Sequence, residues 1–129
     1  MSRDLNLLNS DFRPQVDKFL AAVKARGIDM IVTCTYRDGD EQDALYAQGR
    51  TTPGHIVTNA KAGQSAHNYG CAIDVVPIVN GKCCWDDKAD VWQQIGQIGQ
   101  SCGMVWYGAP GAAFPETPHF QLTNWEKFR

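Results

Sequence analysis

No stretch of this 129-residue chain approaches the roughly 20 apolar residues that a bilayer-spanning helix needs, which excludes a membrane span of that kind. The opening residues, Met1-Ser2-Arg3-Asp4-Leu5-Asn6, contain neither an apolar core segment nor a small-residue cleavage site. No secretion signal is legible there, and cytosolic synthesis and folding are expected. Clusters of Lys and Arg are missing too, and the formal net charge is -2. A phosphate-backbone partner needs several clustered cations, so nucleic acid is excluded as an expectation. The five cysteines, Cys34, Cys71, Cys83, Cys84 and Cys102, include no C-x-x-C pair and are expected mostly as small buried apolar residues. Neighbours on a strand point to opposite faces, so Cys83-Cys84 is not expected to converge on a metal. Repeats, low-complexity tracts and linkers are also lacking. One domain over residues 1–129 is expected, large enough to bury about two-thirds of its unfolded surface.

Hydrophobic periodicity supplies the elements. Phe12, Val16, Phe19, Leu20 and Val23 recur at helical spacing, Pro14 suits a first turn and Gly27 a stop, which predicts a helix over 13–26. Residues 28–35 are rich in apolar and β-branched side chains and read as a strand that leaves Arg37 at its mouth. Asp40 is expected to cap a short helix reaching Gln48 and closed by Gly49, followed by a long surface loop over 51–64. A second strand spans 71–79, and Asn80-Gly81 signals a hairpin returning through 82–85. Val91, Ile95, Ile98 and Cys102 mark another helix, with Asp86 or Asp87 near its start and Gly103 past its end. Further strands are expected at 104–107 and 119–122. Helices interleaved with hairpin-connected strands indicate an α+β domain with a largely antiparallel central sheet.

Two of the three histidines fall in chemically telling places. The run Ser65-Ala66-His67-Asn68-Tyr69-Gly70-Cys71-Ala72-Ile73-Asp74 and the later Glu116-Thr117-Pro118-His119 supply two imidazoles, a carboxylate near them and a second carboxylate set apart. Three ligands of the His/His/carboxylate kind leave the fourth tetrahedral position of zinc open, whereas structural zinc is closed by four ligands and rich in cysteine. Asp74 shares a strand face with Ala72 and Val76, and Asn68-Tyr69-Gly70 can bend His67 back beside it. His119 can arrive on an adjacent strand. One zinc per chain on His67, Asp74 and His119 is the expectation, although manganese, cobalt or nickel suit the same donors.

Glu116 lies within roughly 10 Å of His119 along even an extended backbone. Pro115 and Pro118 bias Phe114 and Thr117 toward extended conformations, which limits the freedom of Glu116. Its functional reading is the general base of metal-assisted amide hydrolysis; the bland reading is a solvated loop residue. Arg37 reads either as a surface partner of Asp38 or Asp40, or as a cation that stabilises an oxyanion or grips a substrate carboxylate. Ser65 either donates to substrate or caps the turn to His67. Gln42 is carried as a substrate-binding candidate beside a helical surface role, and His55 as a surface residue.

At these residues the chain resembles the zinc D,D-carboxypeptidase and L-alanyl-D-glutamate endopeptidase family. The likeness runs from about Ile31 to Leu122 and is most specific in Ser65-x-His67-x-x-Gly70-x-Ala72-x-Asp74 with Glu116-x-x-His119. Tyr36-Arg37, Glu41-Gln42, Leu45-Tyr46 and Gly49 add to it. The longer run Thr58 to Gly70 looks most like the phage-type L-alanyl-D-glutamate peptidases. Where members often carry a Trp-Gly-Gly-Asp-Trp-like segment, this chain reads Trp106-Tyr107-Gly108-Ala109-Pro110-Gly111-Ala112-Ala113-Phe114. The resemblance implies the Hedgehog/DD-peptidase fold, zinc on His67, Asp74 and His119, Glu116 as base, and Arg37 at substrate or transition state. It implies a bacteriophage endolysin that cuts the L-Ala-D-Glu bond of the peptidoglycan stem peptide, an antimicrobial cell-wall lysis activity. No separate wall-binding domain is expected. The enzyme is expected as a monomer in the host cytoplasm, reaching the wall with help from a holin. A D-alanyl-D-alanine carboxypeptidase and a nonenzymatic metal-stabilised binding module are the alternatives.

Overall fold

A computed structural model describes residues 1–112 and 115–129. Helix α1 (Arg13–Ala25) opens with Pro14 in its first turn and ends before Gly27, whose φ of 75° suits a residue without Cβ. Strand β1 (Met30–Cys34) leads to α2 (Gly39–Ala47). The cap of α2 is Asp38, not the expected Asp40: Asp38 accepts from Glu41 N at 2.8 Å while Glu41 returns a contact to Asp38 N at 3.1 Å. That reciprocal box satisfies two otherwise orphan amides, which a cap at Asp40 would leave open.

Strand β2 (Ala72–Val79) turns through Asn80 and Gly81, both with positive φ, into the two-residue β3 (Lys82–Cys83). Helix α3 (Asp90–Ser101) starts later than expected. Asp86 is spent on a local turn, accepting from Lys88 N at 3.1 Å. Strands β4 (Val105–Trp106) and β5 (His119–Gln121) complete the order β1-β2-β5-β4, every pair antiparallel, with β3 paired to the far end of β2. Among the described residues the architecture is the expected α+β domain.

The two faces of the sheet do different work. Phe120, opposite Ile73 and Trp106 in register, points to the helices. Its ring lies 4.8 Å from Phe19 of α1 and 6.2 Å from Trp106, centroid to centroid. Phe12, Val16, Phe19, Trp92, Ile95 and Ile73 are all essentially inaccessible there, forming the core. The alternation of side chains along β2 and β5 therefore sends Asp74, His119 and Gln121 to the opposite face. Among the cysteines only Cys34 and Cys71 are buried; Cys83 is exposed, because β3 is a short external ribbon.

The helical glycines permit this close packing. A Cβ at Gly96 would sit 2.3 Å from the Trp106 ring. Overpacking a core costs about 1–3 kcal/mol, more than the roughly 1 kcal/mol that alanine gains over glycine in a helix interior. Gly96→Ala is expected to lower the urea midpoint of unfolding without changing the slope, against the direction of helix propensity.

Candidate metal and catalytic site

Antiparallel register builds the site. Asp74 on β2 is opposite Cys34 on one side and His119 on the other, and a bulge between Val32 and Cys34 sets the first of these pairings. His67 arrives from the 3-10 turn Ala66–Tyr69, which ends on Gly70 at φ 68°. A Cβ on Gly70 would lie 2.7 Å from the Leu7 carbonyl oxygen, so only glycine lets the chain pass from His67 into β2 here.

Both imidazoles are oriented through the nitrogen that faces away from Asp74. His67 Nδ1 lies 2.8 Å from the Thr35 carbonyl oxygen, which can only accept, so Nδ1 carries the proton. Its Nε2 then faces Asp74 Oδ1 at 3.2 Å. His119 Nε2 donates to Gln121 Oε1 at 2.8 Å, and its Nδ1 faces the same Asp74 oxygen at 3.1 Å. Two ring nitrogens converging on one carboxylate oxygen hold together only with a proton or a metal cation among them. The donor set fits a metal ion, with a hydrogen-bond partner behind each imidazole. A second set sharing His67 and Asp74 closes with Cys34, the donor atoms lying within 4.8 Å of one another.

The electrostatics follow from burial. Burial works to raise the Asp74 carboxyl, but the charges and hydrogen bonds of His67 and His119 outweigh it and hold the group far below the usual carboxylate range. Burial pushes the His67 imidazole down despite Asp74. At His119 the hydrogen bond and charge of Asp74, with Gln121, overcome burial and hold the imidazole up. Glu116 is pushed up by burial, with Asp74 adding to it. Burial also raises the Cys34 thiol, keeping it neutral. Glu116 Oε2 stands 3.8 Å from His119 Nδ1, on a turn closed by His119 N donating to the Glu116 carbonyl at 3.1 Å. Thr117 belongs to that turn. Phe114, expected to be extended, lies outside the described residues.

Arg37 is buried at the site. Its Nη1 donates to Gln42 Oε1 at 2.9 Å and its Nη2 lies 3.7 Å from Asp74 Oδ2, which replaces the surface pairing with Asp38 or Asp40. Gln42 is inaccessible to solvent and has both ends of its amide engaged, Nε2 donating to the Ala60 carbonyl at 2.7 Å. Its position makes it a support for Arg37 and the loop, out of reach of a substrate. Ser65 Oγ accepts from His67 N at 3.2 Å, the capping role, while the residue also lines the cavity. His55 is exposed. Thr35 and Gln121 support the site without being expected there, and Asn68, expected only as part of the bend after His67, does so too. Asn68 joins the two halves, Nδ2 donating to the Arg37 carbonyl at 2.8 Å. The position of Gln121, two residues after His119 on a strand, was the available signal.

Two cavities, of about 380 and 430 Å³, meet at this constellation and share Thr58, Ser65, Glu116 and His119 as wall. Arg37 and Asp74 belong to the first, Asn59, Gln121 and Trp125 to the second. Arg50 holds the intervening loop, Nη1 reaching the Thr58 carbonyl at 3.0 Å and Nη2 reaching Asn59 Oδ1 at 3.0 Å.

The VanY family model, described as D-alanyl-D-alanine carboxypeptidase, matches residues 5–108. The chain belongs to the VanY family. The match covers Arg37, His67 and Asp74 and ends before Glu116 and His119. Peptidoglycan L-alanyl-D-glutamate endopeptidase CwlK of Bacillus subtilis (strain 168) is 38% identical over 125 residues, spanning 88% of this chain and 74% of CwlK. The crystal structure of L-Ala D-Glu endopeptidase ChiX from Serratia marcescens superposes with a TM-score of 0.68 at 22% identity, covering 97% of this chain and 87% of ChiX. A mutant of the vancomycin resistance D,D-pentapeptidase VanY in complex with Zn(II) gives 0.67 at 17% identity, over 94% of this chain and 75% of that one. The last two likenesses establish a VanY-type D,D-peptidase fold.

Gln42→Leu removes the acceptor of a buried guanidinium and the donor to the Ala60 carbonyl together. Each buried polar group left unpaired costs about 1–3 kcal/mol, more when charged. A stability loss of at least that size is expected in urea unfolding, with a rise in KM if the loop wall relaxes.

Proposed function

We propose that this VanY-family chain is a zinc-dependent peptidoglycan peptidase that hydrolyses the L-Ala-D-Glu bond of the stem peptide. The observation that carries the reading is the convergence of His67 Nε2, His119 Nδ1 and Asp74 Oδ1 beside Glu116 and Arg37, where two cavities meet.

His67, Asp74 and His119 would hold the zinc. The competing set with Cys34 is disfavoured because its sulfur approaches His67 on the Nδ1 side, 3.8 Å away, at the nitrogen already donating to Thr35. Arg37 Nη2 also lies 3.8 Å from that sulfur. When bound, zinc supplies a Lewis acid that polarises the scissile carbonyl and acidifies water. Glu116, raised by burial, is matched to accept a proton from the attacking water and return it to the departing amide nitrogen. Arg37, held by Gln42, lines the first cavity beside Asp74, where its charge would stabilise growing negative charge or a stem-peptide carboxylate. The hydroxyl of Ser65 remains free to donate into the cavity.

The choice of bond is supported by the groove itself. Wall on both sides of Glu116 and His119 suits a peptide that continues past the reacting bond, as an internal cleavage requires, whereas removal of a terminal residue needs only one side. The names of CwlK and ChiX as endopeptidases for this bond agree with it. In this reading the chain acts as a monomeric phage endolysin that meets the wall through holin-assisted access. A D-alanyl-D-alanine carboxypeptidase is the second reading, motivated by the description of the family.

About one zinc per chain is expected from metal analysis. Glu116→Gln should keep the metal and lose at least roughly a hundredfold in turnover, whereas His119→Ala should lose the metal too. Full activity of verified metal-free protein, or near-normal turnover by Glu116→Gln, would overturn the assignment.

Incubated with purified peptidoglycan, the enzyme is expected to leave L-Ala on the lactyl group and to release stem peptides with a new D-Glu amino terminus, read by mass spectrometry. Release of a single terminal D-Ala would favour the carboxypeptidase.

A further inference from the structure

We infer that Gln121 is a positioning residue that sets the tautomer of His119 and so presents the Nδ1 lone pair to the site. The two residues are separated by one position on β5, so their side chains share a face. Gln121 is buried, and its Oε1 accepts from His119 Nε2 at 2.8 Å. The opposite ring nitrogen looks at Asp74 Oδ1 at 3.1 Å and Glu116 Oε2 at 3.8 Å.

The ring has little freedom to escape this arrangement. Tyr107 packs against it with centroids 4.6 Å apart, and His67 meets it edge-on at 5.0 Å. Tyr107 N also donates to the His119 carbonyl at 3.0 Å, fixing the backbone beneath the ring. With rotation blocked, the remaining variable is which nitrogen carries the proton. A neutral imidazole has one proton for two nitrogens; the Gln121 acceptor draws it to Nε2, against Asp74, which draws it to Nδ1 until a cation occupies that side. Without that acceptor the proton is favoured at Nδ1, where Asp74 accepts it and the lone pair needed for a metal is lost.

The two imidazoles differ in how this is secured. His67 is held by the Thr35 backbone carbonyl, an acceptor that no substitution removes. His119 depends on a side chain, so its tautomer can be changed by substitution. An amide is also two-ended: turned over, it would donate to Nε2 and favour the wrong form. The acceptor-only carboxylate of Gln121→Glu keeps the required chemistry, and Gln121→Met keeps the approximate volume without it.

The effect on the metal rests on the reading of His119 as a ligand, but the tautomer does not. Nitrogen NMR of the metal-free protein, at alkaline pH where the imidazole is neutral and Asp74 competes for its proton at Nδ1, should show a larger Nε2-protonated share of His119 in wild type and in Gln121→Glu than in Gln121→Met. Chelator competition should show zinc affinity down roughly 10- to 100-fold in Gln121→Met and within a few-fold of wild type in Gln121→Glu. A purely space-filling role predicts the reverse order, the buried charge of Gln121→Glu being the worse change. An Nε2-protonated share that is the same in wild type and Gln121→Met, or Gln121→Met with unchanged zinc affinity, would overturn the inference. If His119→Ala keeps full zinc affinity, the ligand reading fails while the NMR result still decides the role of Gln121.

Discussion

A buried carboxylate on the central strand is the constraint from which the rest of this structure follows. Asp74 is ionised on β2, and a charge removed from water must be met by partners. The structure meets it with His67 and His119 on one oxygen and Arg37 near the other. Those partners come from a strand mouth, a 3-10 turn and a neighbouring strand. Their common need for Asp74 ties the three regions of the chain together.

The division of labour across the sheet keeps this possible. One face is sealed by α1 and α3 through aromatic and aliphatic packing, with Gly96 and Gly99 admitting Trp106 and Phe120 at close range. That face supplies the stability, since apolar burial contributes about 25 cal/mol per Å². The other face holds the charges, whose mutual satisfaction leaves the lone pairs of two imidazoles aimed inward. A rigid sheet with one apolar face can present ligating atoms with little rearrangement, which is what a preorganised metal site requires.

Around that centre, supporting residues carry orientation outward. Gln42 links Arg37 to the Ala60 carbonyl, Asn68 links the His67 turn to the Arg37 backbone, and Arg50 fastens the loop that walls both cavities. Arg37, the His67 turn and the loop that walls the cavities are therefore positioned by one connected network. The Asp38–Glu41 box belongs to it as well, starting α2 at the residue that brings Gln42 beneath Arg37.

Much of this was legible in the amino-acid sequence, because its signals are local. The helix of Phe12 to Val23, the Asn80-Gly81 hairpin, the strand carrying Asp74 and the spacing of His67, Asp74, Glu116 and His119 depend on short-range periodicity and turn chemistry. Other features are relations between distant segments. The competition between Asp38 and Asp40 as cap was decided by a reciprocal hydrogen bond, and the late start of α3 by a turn at Asp86. Gln42 reads from sequence as a surface or substrate-binding residue until packing encloses it, and Arg37 as a site residue with a surface ion pair as its alternative. Residue types and spacing thus determined which donors the chain possesses and which strands carry them. Register between β1, β2 and β5 decided that Cys34, Asp74 and His119 stand side by side, and the fold alone brought the Thr35 carbonyl behind His67, because partners far apart in the sequence meet only once the strands have paired.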